Sequence, residues 1–366
     1  MRFFRSRDLL LIILLLPIKA IAQPVFSISD STKLQFIGLT ASAGSIVTAS
    51  QRVRSLSFTH PVMLQFDFSF IKNTQQSWNY CNCYNKTGLS VSYTDFNNPK
   101  NLGQAINLAV FTEPIIYYSP KFQLLIRGGA GLSYLNKVFD VQSNPENLFY
   151  SSPLSFILML RATASYQVNQ RISINLAGQF NHISNGGTRY PNWGINFPML
   201  SLGAGYQLNQ QKLIPRIHLK LTSHRLKLIM HAYGGRHLED GSKRIVTGIN
   251  TGLIKPLSLV NGIGLGGEVT YDLIYKVLEE RRNVHYNSLL ASLSVQHYFF
   301  LGKLLFGQQL AYYLVPPNPN SAKKIYQLYT LEYHLSNQWY GGVTLKAHGG
   351  ISDYLTLSIG KVIELK

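Results

Sequence analysis

The chain of 366 residues is 46% hydrophobic and 14% charged, with 22 Tyr, 19 Phe and a formal net charge of +18. Its charged share lies far below the roughly 25% of soluble domains, so an ordinary cytosolic globular domain fits poorly. Beyond the N-terminus no run of about 18 apolar residues occurs, which excludes a spanning helix.

The chain opens MRFFRSRDLLLIILLLPIKAIAQ. A basic start (Arg2, Arg5, Arg7), the apolar run Leu9–Leu16 and the small-x-small end Ala20-Ile21-Ala22 predict a signal peptide over 1–22, cut before Gln23. No Cys stands at that cut, which disfavours a lipoprotein. Export also removes nucleic acid as the partner for the positive charge. An exported, aromatic-rich chain with no spanning helix predicts an outer-membrane β-barrel, and localisation in the outer membrane of a Gram-negative bacterium. A secreted β-sandwich or β-propeller is the soluble alternative. For a barrel, the anionic partner is the phosphorylated lipid of the outer leaflet.

Strands are predicted from period-two alternation at 33–43, 58–71, 86–96, 103–118 and 121–135. Between the second and third lies Cys81-Asn82-Cys83, either a local disulfide staple or two free thiols. Alternation is cleanest at 154–168 and 171–184. In the latter Ile172, Ile174, Leu176 and Phe180 share one face, and Arg171, Ser173, Asn175, Gln179 and Asn181 the other. That is the lipid-out, lumen-in pattern of a transmembrane strand. Further strands follow at 196–208, 224–234, 243–255, 260–275, 286–300, 303–315, 324–336, 339–348 and 353–365. Short turns at Ser119-Pro120, Asn169-Gln170, Leu301-Gly302 and Asn337-Gln338 alternate with longer loops at 136–153, 184–196, 276–285 and 316–323. The longer loops are expected outside, the shorter in the periplasm.

The fold class is therefore all-β, an antiparallel transmembrane barrel of about sixteen strands. One continuous barrel is preferred because it leaves a single pair of edges to close, with two eight-stranded barrels as the alternative. Residues 23–210 form a first half, and 211–366 supply a second set of about eight strands continuing the same barrel. The halves echo one another weakly. NQRISINLAGQFNH (169–182) is similar to NQWYGGVTLKAH (337–348), and GGAGLSY (128–134) to GLGGEVTY (264–271).

The stretch FNHISNGGTRYPNWGIN (180–196) carries the chemistry. His182 and Ser184 share the parity of the apolar face, so both should project toward lipid at the outer rim. On the returning strand Asn196 shares the parity of Leu200, Leu202 and Leu208. An imidazole beside a hydroxyl, with a third group orienting it, is the logic of an activated serine. The plainer alternative is a set of interfacial polar residues at a strand end. His348 in the second half should face the lumen and has no Ser two positions on, so no second copy of the site is expected. The other histidines show no metal-ligand spacing.

His-x-Ser-Asn, then Gly, then Pro-Asn-x-Gly-Ile, resembles the active-site segment of the lipid A 3-O-deacylase (PagL) family of outer-membrane barrel esterases. The resemblance covers roughly 33–208 and is specific over 180–196, with weaker likeness in GLSVSYTDFNNPKNLG (88–103) and RGGAGLSYL (127–135). It implies Ser184 as nucleophile and His182 as general base. It also implies Asn192 and Asn185 as oxyanion-stabilising residues, Gly186 or Gly187 as a point of close backbone approach, and Asn196 as the group orienting the histidine. Well-known members carry a glutamate where this chain has Asn196. Arg189, inside the same loop, is a candidate to touch a lipid phosphate. The implied function is deacylation of lipid A without metal or dissociable cofactor. The alternatives are a porin-like channel, or a lipid-binding barrel with a vestigial site.

Overall fold

The computed structural model describes residues 33–365 except 49–50, 210–211, 214–215, 217–220, 222–224, 240, 321–323, 337 and 350. The expected signal peptide lies outside the described residues. In 172–184, the exposed side chains of Ile172, Ile174, Leu176 and Phe180 alternate with buried Ala177, Gln179, Asn181 and Ile183. This period of two recurs along the strands, because successive side chains of a pleated strand point to opposite faces.

Eight strands form the first sheet: β1 (Lys33–Gly44), β2 (Val62–Lys72), β3 (Asn85–Asp95), β4 (Gln104–Tyr118), β5 (Phe122–Leu135), β6 (Leu154–Gln167), β7 (Ile172–Ser184) and β8 (Ile195–Gln207). They pair antiparallel in chain order, and β8 returns to β1 with Ile37 opposite Tyr206 and Ala41 opposite Leu202. Eight more follow: β9 (Lys227–Glu239), β10 (Ser242–Pro256), β11 (Asn261–Asp272), β12 (Leu289–Leu301), β13 (Leu304–Val315), β14 (Ile325–Ser336), β15 (Trp339–His348) and β16 (Ile351–Glu364). Here β16 closes on β9, with Thr356 opposite Gly235 and Gly360 opposite His231. Both barrels lie within one compact unit, Lys33–Lys366.

The sixteen strands thus close as two barrels of eight. The preferred continuous barrel, with 211–366 extending the first half, does not form. Counting edges does not separate the two closures, since either leaves none. What separates them is chain distance and filling. The edges β1 and β8 meet across a shorter stretch of chain, which costs less closure entropy. Asn209 then fastens that seam, accepting from Gln35 N–H (3.1 Å) and donating to the Lys33 carbonyl (2.6 Å). An eight-stranded interior is narrow enough for side chains to fill. In the first lumen Arg127 bridges Asp67 (2.7 Å) and Glu113 (3.0 Å) while lying 3.7 Å over the Phe111 ring. In the second, Glu268 gathers Lys346, Tyr233, Thr270 and Tyr326. Nearby, His231 bonds both Glu332 and Tyr298 at 3.1 Å.

Smaller differences are local. Residues 276–285 are not simply a loop. After a 3-10 turn at Gln51–Leu56 and a short helix α1 (Gln75–Asn79), a second helix α2 spans Ile274–Arg282, burying Ile274, Tyr275 and Leu278 over the second barrel. Cys81 and Cys83 are joined as a disulfide just after α1. The echo of 169–182 in 337–348 falls on β7 and β15, the seventh strand of each barrel. That of 128–134 in 264–271 falls on β5 and β11, which hold different places in their barrels. No helix among the described residues is long and apolar enough to cross a membrane. The exposed apolar residues of the strands form the surface that does.

Replacing Arg127 by Met should leave Asp67 and Glu113 buried without their directly bonded counter-charge, costing about 3–5 kcal/mol of stability. The measure is the urea midpoint of the refolded barrel in detergent. An unchanged midpoint would show that the ion pair does not hold the lumen together.

Candidate active site

Beneath the site lies apolar packing. Ile183 of β7 and Ile195 and Phe197 of β8 point inward, each essentially unexposed, into a cluster with Ile46, Leu56, Phe96, Leu102, Phe149 and Ile157. Burying each such side chain contributes about 1.5–3 kcal/mol. Shifting either strand by one residue would turn all of them out to the surface, so the phase of the pleat is held. Their neighbours His182, Ser184 and Asn196 therefore stand on the outer face, each half-buried.

His182 pairs directly with Asn196 across the β7–β8 ladder. Its Nδ1 lies 2.7 Å from Asn196 Oδ1. An amide oxygen only accepts, so Nδ1 donates the proton and Nε2 keeps its lone pair, the form required of a base. Gly194, at φ +66°, makes room for the ring, since a Cβ there would sit 2.6 Å from His182 Cε1. Ser184 shares the histidine's face two positions on. Its Oγ accepts from the Gly186 N–H at 3.4 Å, and no hydrogen bond joins it to the imidazole. Such bonds are often loose before substrate binds.

Residues 185–194 are organised by two asparagines. Asn185, 1% exposed, accepts through Oδ1 from Gly187 N–H (3.0 Å) and Thr188 N–H (3.2 Å). Its Nδ2 donates to the Arg189 carbonyl at 2.7 Å. Asn192 accepts the Asn185 N–H at 3.1 Å through Oδ1, and its Nδ2 donates to no described residue. Gly186 and Gly187 adopt φ +66° and +76°, and the Tyr190–Pro191 peptide is cis. From the loop 136–153, the carbonyls of Leu148 and Phe149 accept from Trp193 N–H (3.2 Å) and Gly194 N–H (2.8 Å). Arg189 is exposed, and its charge helps hold the Asp140 carboxylate below its usual range, after hydrogen bonds from Ser143 and Gln142.

His182 is bonded to Asn196, Ser184 shares their face, and Asn192 holds the adjoining turn through the Asn185 N–H. Asn185 and Gly187 lie in the supporting turn and Arg189 on its exposed side. Residues missed by sequence reasoning are Gly194 and two from the second barrel. A Cβ on Gly186 would touch Leu355 at 3.4 Å, and one on Gly187 the Asp353 carbonyl at 3.1 Å. Nothing in the spacing of residues so distant along the chain reveals that contact. Among the described residues no group of His, Cys, Asp and Glu could hold a metal.

Gly194→Ala should displace the imidazole and break the bond to Asn196, because the new methyl group occupies the ring's space and φ +66° strains any Cβ-bearing residue. The exchange protection of the His182 Nδ1 proton in an NMR spectrum checks this. An equally protected proton in the variant would refute it.

Residues 60–205 match the family described as lipid A 3-O-deacylase (PagL), and 226–364 that described as acyloxyacyl hydrolase, C-terminal domain. None of the curated proteins matches the chain in sequence. Similar solved structures include Neisserial surface protein A (8% identity, 48% of this chain and 97% of that one, TM-score 0.35). Another is the outer membrane enzyme PagL (16%, 45% and 97%, TM-score 0.33). A third is a deltaS2 mutant of the TodX monoaromatic hydrocarbon channel (8%, 92% and 90%, TM-score 0.20). The two family matches together span most of the chain, one on each barrel, and both are models of the PagL type.

Proposed function

We propose that the chain is a serine esterase that removes an ester-linked acyl chain from lipid A in the outer leaflet. The single observation that carries this reading is the His182–Asn196 bond of 2.7 Å, which leaves the base nitrogen of His182 unprotonated beside Ser184 on the outer face. A nucleophile there meets esters of membrane lipids and little else.

In the proposed reaction Ser184 Oγ attacks the ester carbonyl carbon and its proton passes to His182 Nε2. The carbonyl oxygen becomes an oxyanion, held by Asn192 Nδ2. Such a donor is worth about 3–4 kcal/mol in transition-state stabilisation. Asn185, with its amide committed to the loop, positions this donor. As the intermediate collapses, His182 returns the proton to the departing sugar hydroxyl, leaving an acyl-serine. Water, deprotonated by the same histidine, then releases the fatty acid and restores Ser184.

Asn196 fixes the tautomer of His182 but offers no charge to the imidazolium that forms. That observation favours a second reading, lipid binding with little turnover. The porin-like alternative finds less support, since both lumens are occupied by paired side chains.

In a Gram-negative host, the wild-type chain should shorten lipid A by one acyl chain in mass spectra, and Ser184→Ala should leave it intact. Intact lipid A with folded wild type would overturn the esterase reading. Asn196→Asp should raise kcat roughly tenfold, because a carboxylate makes a charge-assisted bond to the imidazolium. A rate that stays level or falls in folded variant would mean that His182 does not become cationic during the reaction.

A further inference from the structure

Two arginines face each other inside the first barrel. Arg127 of β5 and Arg161 of β6 stand directly opposite across their ladder, and both point into the lumen, 5% and 3% exposed. Like charges placed this way repel and destabilise a sheet. Their surroundings treat them unequally. Arg127 holds both carboxylates of this part of the lumen, Asp67 and Glu113. All four carboxylate oxygens are engaged, those of Glu113 by Arg127 Nε and Nη2, and those of Asp67 by Arg127 Nη1 and Gln65 Nε2.

Arg161 is left without such a partner. Its Nη2 reaches Thr40 Oγ1 at 3.5 Å, the outer limit of a hydrogen bond, and its Nε and Nη1 find no protein acceptor among the described residues. Across its other ladder stands Gln179, a neutral amide that brings no charge. A guanidinium does not shed its proton as a buried lysine can, and a buried charge without a counter-charge is strongly destabilising. The space beside it has the matching character. A cavity of about 50 Å³ is lined by Arg161, Arg127, Lys86 and Thr163, together with Asp67 and Glu113. Thr163 Oγ1 is buried without a protein partner among the described residues. Lys86 Nζ lies 4.7 Å over the Phe36 ring and forms no ion pair among them. A water needs roughly 10–15 Å³ of such space, so the cavity takes one small ion with a water or two and excludes a lipid headgroup.

We propose that the lumen of the first barrel holds a small inorganic anion of the halide class between Arg161 and Lys86. Arg161 Nε and Nη1 and the Thr163 hydroxyl donate to it, and it screens the two facing arginines from each other. With the anion beside it Lys86 keeps its proton, and three cations are balanced by two carboxylates and one anion. The site is on the inner face of the sheet, whereas Ser184 is on the outer, and it stands independently of the esterase reading.

The test uses the full-length chain refolded in detergent, with chloride as the probe and gluconate, too large for the cavity, replacing it at equal ionic strength. Urea unfolding is followed by tryptophan fluorescence, to which Trp78 and Trp193 report from the first barrel. Exchanging gluconate for about 0.1 M chloride should lower the unfolding constant roughly tenfold, the mass-action effect of a site with a Kd of about 10 mM. Arg161→Gln should fold and lose this dependence, and Arg161→Lys, which keeps the charge, should retain part of it. Crystals of the wild type soaked in bromide should show an anomalous peak within hydrogen-bond distance of the Arg161 guanidinium. No chloride dependence in folded wild type, or the same dependence in Arg161→Gln, would overturn the proposal. Water alone in the cavity, or bromide on the outer surface as an adventitious ion only, would do the same. Should Arg161→Gln not fold, the bromide crystals of the wild type decide.

Discussion

The phase of the strand pleat is the constraint on which the rest depends. A barrel strand has two faces and a one-residue slip exchanges them. In β7 and β8 that slip is blocked by Ile183, Ile195 and Phe197, locked into an apolar plug with side chains from the outer loops. Once these three point inward, the pleat has no choice about His182, Ser184 and Asn196. The polar corner on the outside of the barrel is the reverse side of the hydrophobic cluster on its inside.

On that surface the histidine is set by two small details. Asn196 occupies the position directly across the ladder and takes the Nδ1 proton, which leaves Nε2 basic. Gly194 clears the space for the ring. The turn between them is held by amide hydrogen bonds, chiefly those of Asn185, rather than by apolar packing of its own. Its two left-handed glycines let the backbone pass close to a neighbouring strand. A carboxylate in place of Asn196 would add charge but no further control of geometry.

Both barrels carry the family's pattern, yet they diverge at the seventh strand. His182 faces outward opposite Asn196, whereas His348 pairs with Ile351 and lies against Tyr313 and Tyr326. A register shift between Lys346 and Ala347 intervenes in β15. The second interior instead concentrates its buried polar groups around Glu268 and His231, and its outer rim contributes Leu355 and Asp353 to the surroundings of the first barrel's loop.

Much of this was legible in the residues themselves. Alternation is a local property, so strand positions such as 171–184 and 154–168 and the sidedness of Ile172, Leu176 and Phe180 follow from the sequence. The juxtaposition of His182 with Ser184 is equally local, being two positions on one face. The pairing of His182 with Asn196 needed only the turn between adjacent strands and a parity shared by both. Other features depend on which distant strands meet, and no local period encodes that. Closure of β8 onto β1 rather than onto β9 was decided by loop entropy and the filling of narrow lumens. The helix over 274–282 was decided by a surface that its Tyr275 and Leu278 could cover. The contact of Leu355 with Gly186 exists only because two separately closed sheets come together in space.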